Sequence, residues 1–272
     1  MVFGTRSRSR RARAVRGFFD DHPRFLDTST TASQPTRLNL RHEALITANA
    51  DLLRGARVLD LASHDGRWTM AALEAGAAHV TGIEARPDLV AHARKTLHSY
   101  GAAPETYDFI TGDVFEVLAK ADLEVDVVQC FGFLYHTLRY PDLLSGLAKI
   151  AAPWLLLDTK VHPSKHRVIR VGVDDISNEG QAAEDAHTAG TKTLVGSPSQ
   201  GALRMMLRTY GYDRETDFDW SSLVDRYGEE AVHAYANGER VTWRCKWYGL
   251  GMPPRGTGLP GSRGSEDDLP GS

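Results

Sequence analysis

The sequence predicts a doubly wound α/β domain, an open and mostly parallel sheet of about seven strands with helices on both faces. Three observations carry this. Short apolar runs alternate with stretches of helical period between residues 57 and 161, glycines punctuate the joins, and the 272 residues are 42% hydrophobic and 25% charged, enough apolar mass for a sizeable core.

Residues 38–53 read as an amphipathic helix, with Leu38, Leu45, Ile46, Asn49, Leu52 and Leu53 near one face and Gly55 as its stop. Residues 57–61 form a short apolar strand, residues 68–75 a helix closed by Gly76, and residues 79–84 the next strand. Pro87 suits the first turn of a helix that turns Leu89, Val90, Ala93 and Leu97 inward and ends at Gly101. Strands follow at 107–112, 125–131 and 154–161, with a helix over 141–151 before the last of them. Strands alternating with helices of about 10 to 15 residues imply right-handed crossovers and a parallel sheet. After Val161 the rhythm breaks through a stretch rich in Asp, His, Gly and Ser, read as a lid insertion over about 162–200. A helix over 198–210, capped by Gly211, and a last strand over 240–248, behind the Asn237-Gly238 turn signal, complete the pattern. No internal repeat and no second core is evident, so the expectation is one domain over 21–250.

Charge is uneven. Residues 1–16 hold six arginines and no acid, leaving the remainder with 26 bases against 35 acids, a net charge of −9. A secretory signal would continue with an apolar stretch, whereas Gly17-Phe18-Phe19-Asp20-Asp21 stops at once. Residues 1–20 are therefore expected to be a disordered arginine-rich start, and residues 251–272, mostly Gly, Pro, Ser and charges, a disordered tail. No apolar run approaches the ~18 to 20 residues that cross a bilayer. Cys130 and Cys245 stand far apart without ligand-spaced neighbours, which excludes a disulfide framework and a zinc site and fits a reducing cytoplasm.

Open α/β sheets bind ligands at the carboxyl ends of their strands. The first strand runs into Asp60-Leu61-Ala62-Ser63-His64-Asp65-Gly66, the second ends at Glu84-Ala85, the third at Gly112-Asp113-Val114, and the fourth at Phe131-Gly132-Phe133-Leu134-Tyr135-His136. Acids finish three consecutive strands. Such a lining repels a phosphate ligand and welcomes a nucleoside with free ribose hydroxyls, an exocyclic amine and a cationic centre, as in S-adenosylmethionine. Read singly, Glu84 is equally a solvated acid and Asp113 a helix N-cap.

The run Val58 to Gly66, an acid some twenty residues beyond it, and the later Gly-Asp-Val together resemble the class I S-adenosylmethionine-dependent methyltransferases, a Rossmann-like family, over about residues 38–161. The resemblance implies S-adenosylmethionine as cofactor. It places Asp60 and the turn Ala62, Ser63, His64 and Gly66 around the methionine portion. It gives Glu84, with Ala85 beside it, to the ribose hydroxyls, Asp113 and Val114 to the adenine, and Phe131 and Gly132 to the floor beneath the sulfonium. The turn departs from the family's Gly-x-Gly-x-Gly, because Ala62 and His64 stand at the first two glycine places; His is among the few other residues that tolerate a left-handed backbone.

Methyl transfer chiefly asks the protein to align a nucleophile and, for an alcohol, to remove its proton. His136 is the expected general base, with Tyr135 beside it as the second catalytic candidate; read singly, His136 equally caps or packs the following helix. Its loop also resembles that of some tRNA wobble-uridine modifying members and of several small-molecule methyltransferases. Asp158, Lys160, His162 and His166 lack metal-ligand spacing and read as surface residues leading into the lid, with orientation of a polar acceptor as the alternative. Arg37, Asn39 and Arg41 read as a solvated helix face, but also resemble the N-terminal cover that some family members fold over the donor, in which Arg41 pairs the methionine carboxylate or an acidic acceptor. Trp243, Trp247 and Tyr248 are expected to pack the last strand. The leading expectation is O-methylation of a small polar acceptor, a sugar or natural-product hydroxyl, with no metal and no membrane, and compatible with a homodimer. A tRNA or nucleic-acid modifying enzyme is the alternative, opposed by the acidic body, and a non-catalytic partner subunit is a third.

Overall fold

A computed structural model describes residues 16–251 apart from Thr30, Ala121 and Glu179. The expectations for the arginine-rich residues 1–15 and for the tail 252–272 fall outside the described residues. Nine strands are described: β1 (Arg57–Leu61), β2 (His79–Glu84), β3 (Tyr107–Thr111), β4 (Val127–Phe131), β5 (Trp154–Lys160), β6 (Ile169–Asp175), β7 (Lys192–Pro198), β8 (Tyr212–Asp217) and β9 (Arg240–Trp247). Seven form one sheet in the order β3-β2-β1-β4-β5-β9-β8. The first five are parallel, whereas β9 runs antiparallel between β5 and β8. The strand order reverses between β1 and β4, so their carboxyl ends open a crevice there.

Helices cover both faces. On β1, Leu59 and Leu61 join one apolar cluster while Val58 joins the other, the period-2 signature of a sheet buried on both sides. Every residue of β4, the central strand of the sheet, is buried.

The expected helix over 38–53 is broken into a helix Pro35–Leu45, a 3₁₀ turn Thr47–Asn49 and a short helix Ala50–Leu53. The cause is Asn49, whose buried amide donates to the Leu45 carbonyl at 3.0 Å and to the Ala44 carbonyl at 3.3 Å, ending the first helix from the side. Described order also begins before residue 21, since Phe18–Asp21 form a helical turn. Both phenylalanines are buried, Phe18 stacked between His22 and His42 and Phe19 edge-on to Trp68.

The lid contains a separate antiparallel hairpin, β6 with β7, tied to the body by the Tyr140 hydroxyl donating to the Gly196 carbonyl at 2.6 Å. A third cluster packs Leu40 and Ala44 of the Pro35–Leu45 helix against Trp220, Leu223, Val232 and Tyr235, from the helical turns that precede β9. This packing carries the first helix over the crevice mouth. Trp243 is buried as expected, Trp247 is partly buried against Tyr212, and Tyr248 is 44% exposed. No helix among the described residues is long and apolar enough to cross a membrane.

Candidate active site

The turn after β1 is left-handed three times, at Ala62 (φ 51°), His64 (φ 54°) and Gly66 (φ 78°). Two of these are not glycine, a cost of roughly 1–2 kcal/mol each, and such strain gathers at functional turns. Hydrogen bonds hold it: Ser63 N–H donates to the Ile83 carbonyl and Gly66 N–H to the Ser63 carbonyl, both at 2.9 Å. Gly66 caps the helix Arg67–Glu74, and a Cβ there would meet Leu97 at 2.9 Å and Phe109 at 3.0 Å. Asp65 points inward and is fully buried. Burial raises its carboxyl, but the Arg67 charge, with Arg67 Nε and Nη2 each at 2.7 Å, and then bonding by His64 hold it well below the usual range.

The crevice beside this turn has a volume of about 420 Å³. Ala62, His64, Glu84, Ala85, Asp113 and Val114 line one end of it. Glu84 is buried, and its two oxygens accept one N–H each, from His64 at 2.9 Å and Arg86 at 3.0 Å, so the carboxylate is fixed at the rim. Each oxygen keeps acceptor capacity for a vicinal diol. Asp113 does two jobs: it accepts from Phe115 N–H at 2.7 Å, which caps the helix Val114–Lys120, and it pairs with Arg139 Nη1 at 3.3 Å. Phe131 and Gly132 line the floor, and a Cβ at Gly132 (φ 80°) would come within 3.4 Å of Arg240.

Asp60, Ser63 and Gly66 correct the expectation, because they do not line the crevice. Asp60 lies buried behind the turn, accepting from Thr69 Oγ1 at 2.8 Å. Burial pushes its carboxyl up to about 7, against the Thr69 bond and with help from the Asp65 and Glu84 charges. Of the three acids that finish consecutive strands, Glu84 and Asp113 therefore share the crevice and Asp60 supports it from behind.

Tyr135 and His136 lie on the 3₁₀ turn Leu134–His136 and both line the crevice. His136 Nδ1 meets Asp174 Oδ2 at 2.6 Å, from β6 of the lid. Asp174 also accepts from Ala182 N–H at 3.0 Å; burial raises its carboxyl, but the His136 bond and charge bring it below its ordinary value. The Tyr135 ring lies beneath Lys160 Nζ at 4.6 Å and Arg240 at 5.2 Å. Burial raises its phenol, and the charges of Arg240, Lys160 and Arg41 outweigh that and lower it.

Asp158 is not the surface residue expected. It is fully buried and accepts from Arg240 Nε at 2.7 Å, Arg41 Nη2 at 2.9 Å, Tyr235 Oη at 2.8 Å and Thr242 Oγ1 at 3.0 Å, with a second bond from Arg240 Nη2. Burial raises its carboxyl, and the Arg240 and Arg41 charges bring it down to about 2. Arg41 is accordingly tied into the site and not solvated; Arg37 and Lys160 line the crevice beside it, whereas His162 and His166 do not. Asn39 is structural, accepting from Phe19 N–H at 2.9 Å. Asp174 and Arg240 went unread in the sequence, the first inside a polar stretch and the second as the opening residue of a strand. Among the described residues no three His, Cys, Asp or Glu side chains gather as a metal site.

Strand order and the switch-point crevice give the chain the α/β fold of the Rossmann-like methyltransferases. Residues 58–153 match the profile of the family described as "Methyltransferase domain", which spans the turn, Glu84, Asp113 and the His136 loop. Among curated proteins none matches the sequence. Solved structures of similar fold include magnesium protoporphyrin IX methyltransferase (ChlM) from Synechocystis PCC 6803 with bound SAH, at 14% identity over 84% of this chain and 94% of that one, TM-score 0.55. The N-terminal domain of EvdMO1 in the presence of SAH and D-fucose is similar at 17% identity over 75% and 81%, TM-score 0.52. The [4+2]-cyclase SpnF is similar at 17% identity over 78% and 82%, TM-score 0.52.

Proposed function

We propose that the protein is an S-adenosylmethionine-dependent methyltransferase that methylates an oxygen of a small polar acceptor, a sugar or natural-product hydroxyl, with His136 as the base. The donor fits the chain's own residues: Glu84 offers a fixed carboxylate to a ribose diol, Asp113 an acceptor to an exocyclic amine, and Gly132 a floor without a Cβ. When bound, it supplies an already activated methyl group.

The observation that carries the oxygen acceptor is the His136–Asp174 pair over that floor. An alcohol loses its proton as the new bond forms, so a base must stand within reach of it. With Nδ1–H donated to Asp174, Nε2 is left as the basic nitrogen, and Asp174 stabilises the imidazolium that results. Neither nitrogen has another hydrogen-bond partner among the described residues. The similar fold seen with SAH and D-fucose lends support to a sugar-like acceptor. A likeness to a cyclase shows equally that fold does not fix chemistry.

The test is calorimetric titration with S-adenosylmethionine, S-adenosylhomocysteine and NAD. Binding of the first two is expected, and binding of NAD alone would overturn the assignment. Binding of none would favour a non-catalytic subunit.

A further inference from the structure

The two ends of the crevice carry opposite charge. The donor end has Glu84, Asp113, Glu184 and Asp185 against Arg86 and Arg139, the latter pairing Asp113 and Asp185, while Arg67 there is held by Asp65. The other end, beyond Gly132 and Tyr135, is lined by Arg37, Arg41, Lys160 and Arg240. Asp158 is the one acid buried among them, and Arg41 and Arg240 share it. Among the described residues, Arg37 and Lys160 have no carboxylate within ion-pair distance; Arg37 reaches only the Gln34 amide oxygen at 3.3 Å, and Lys160 only the Tyr135 ring. Asp174, whose charge reaches Lys160, is held by His136. Arg41 Nε is buried with no hydrogen-bond partner, an orphaned donor at the crevice wall.

Four cations against one carboxylate leave this end in excess by three charges. The donor cannot supply the balance, because its single carboxylate comes with an ammonium and a sulfonium. The Arg37 guanidinium shows the consequence: burial, then the Arg41 and Arg240 charges, depress its pKa. An oxyanion brought by the acceptor resolves the excess and satisfies the free donors, and guanidinium forks suit its geometry.

We propose that Arg37, Arg41, Lys160 and Arg240 form a subsite for an oxyanion carried by the acceptor, so that the substrate is an anionic hydroxy compound, a carboxylate or a phosphate ester. This rests on the donor reading given above. Anchoring the anion here fixes the rest of the acceptor against the Phe131–Gly132 floor, with its hydroxyl toward His136. The subsite thus positions the acceptor and leaves proton removal to His136.

The experiment uses the full chain saturated with S-adenosylhomocysteine, titrated calorimetrically with malonate and with inorganic phosphate at constant ionic strength set by sodium chloride. At least one probe should bind, and which of them binds tighter separates a carboxylate from a phosphate source. In Arg37→Gln and in Lys160→Gln that binding should weaken at least about tenfold, because a hydrogen bond to a charged group is worth that factor. Lys160→Arg should restore it, and S-adenosylhomocysteine affinity should stay within about threefold in all three, since neither side chain bonds to Glu84, Asp113 or the turn after β1. Thermal melts confirm that each variant folds; either position suffices if the other fails. Two results overturn the subsite: no binding of either probe to the loaded wild type, or variants that weaken S-adenosylhomocysteine and leave probe binding intact, which would give the cations to the donor's own carboxylate. Failure of the wild type to bind S-adenosylhomocysteine overturns the donor reading first, and the subsite with it.

Discussion

Asp158→Asn removes one charge from the floor of the cationic end and keeps the side chain's shape. The carboxylate has no exposure and accepts from two arginines, a tyrosine and a threonine. Its descent from the ordinary 3.8 to about 2 makes neutralising it in place cost roughly 2 kcal/mol. Asparagine adds a further cost, because its amide N–H turns toward groups that are themselves donors, and an orphaned buried donor costs about 1–3 kcal/mol. The expected loss is about 3–5 kcal/mol, the range for removing one partner of a buried ion pair, and a large part of the ~5–15 kcal/mol that holds a domain together. Urea denaturation at pH 7, followed by circular dichroism, measures it, provided the slope with urea is unchanged. The folded-state pKa lies below the unfolded one, so the stabilisation is complete above about pH 4 and is lost as pH falls toward 2. Wild type and variant should accordingly converge over that window. A loss under about 1 kcal/mol at pH 7 would refute the view that this carboxylate holds the two arginines in place.

Three other outcomes follow from the site. His136→Gln should lower turnover by about 10²- to 10⁴-fold at unchanged S-adenosylhomocysteine affinity, and Asp174→Asn should lower it by a smaller factor that does not multiply with the first; full activity of His136→Gln in a methyl-transfer assay would remove the base from the mechanism. Glu84→Gln should weaken S-adenosylhomocysteine at least about tenfold by titration, since a charged acceptor is lost to the ribose, and unaltered affinity would place the ribose elsewhere. Asp60 holds its proton more tightly folded than unfolded, so wild-type stability should decline as pH rises from about 4 to about 7. Asp60→Asn should flatten that decline in urea melts at pH 5 and pH 8, and parallel curves would show that the buried carboxyl ionises at its ordinary pH.

The half of the molecule proposed to hold the donor was legible because each of its parts is local. β1 to β5 are apolar runs bounded by glycine or proline, and their observed limits differ from the expected ones by two residues at most. The turn after β1 was legible too, since His64 could take the left-handed backbone that glycine usually supplies. Elements without an apolar signature were missed. β8 is buried only at Tyr212 and Asp213, and its remaining residues, Arg214 to Asp217, are polar. In the β6–β7 hairpin the apolar residues Val171, Val173 and Leu194 face outward, 56–60% exposed, and the buried positions of β7 are Thr193, Val195, Gly196 and Pro198, so the apolar pattern does not mark the buried face. Asp60 failed for a different reason: the sequence places it at the right strand end but not on the side of the turn toward which its carboxyl points.

The half proposed to hold the acceptor was hidden by direction. The rule that sites lie just after strands holds for parallel strands, whose carboxyl ends share one edge. β9 runs the other way, with Lys160 at the end of β5 opposite Arg240 at the start of β9. The first residue of an antiparallel strand therefore arrives at the edge where the parallel strands finish, and Arg240 meets Asp158 from 82 positions away. Arg41 arrives from 117 positions away on a helix seated by Trp220 and Tyr235. In register, Asp158 lies opposite Phe131 on one side and Thr242 on the other, so one buried carboxylate sits where the donor floor and the cationic wall join. Appending antiparallel strands to a parallel sheet thus brings cations to a rim that the parallel strands had finished with acids, and the boundary between the two falls at Phe131 and Gly132, where a sulfonium-borne methyl group would have to pass.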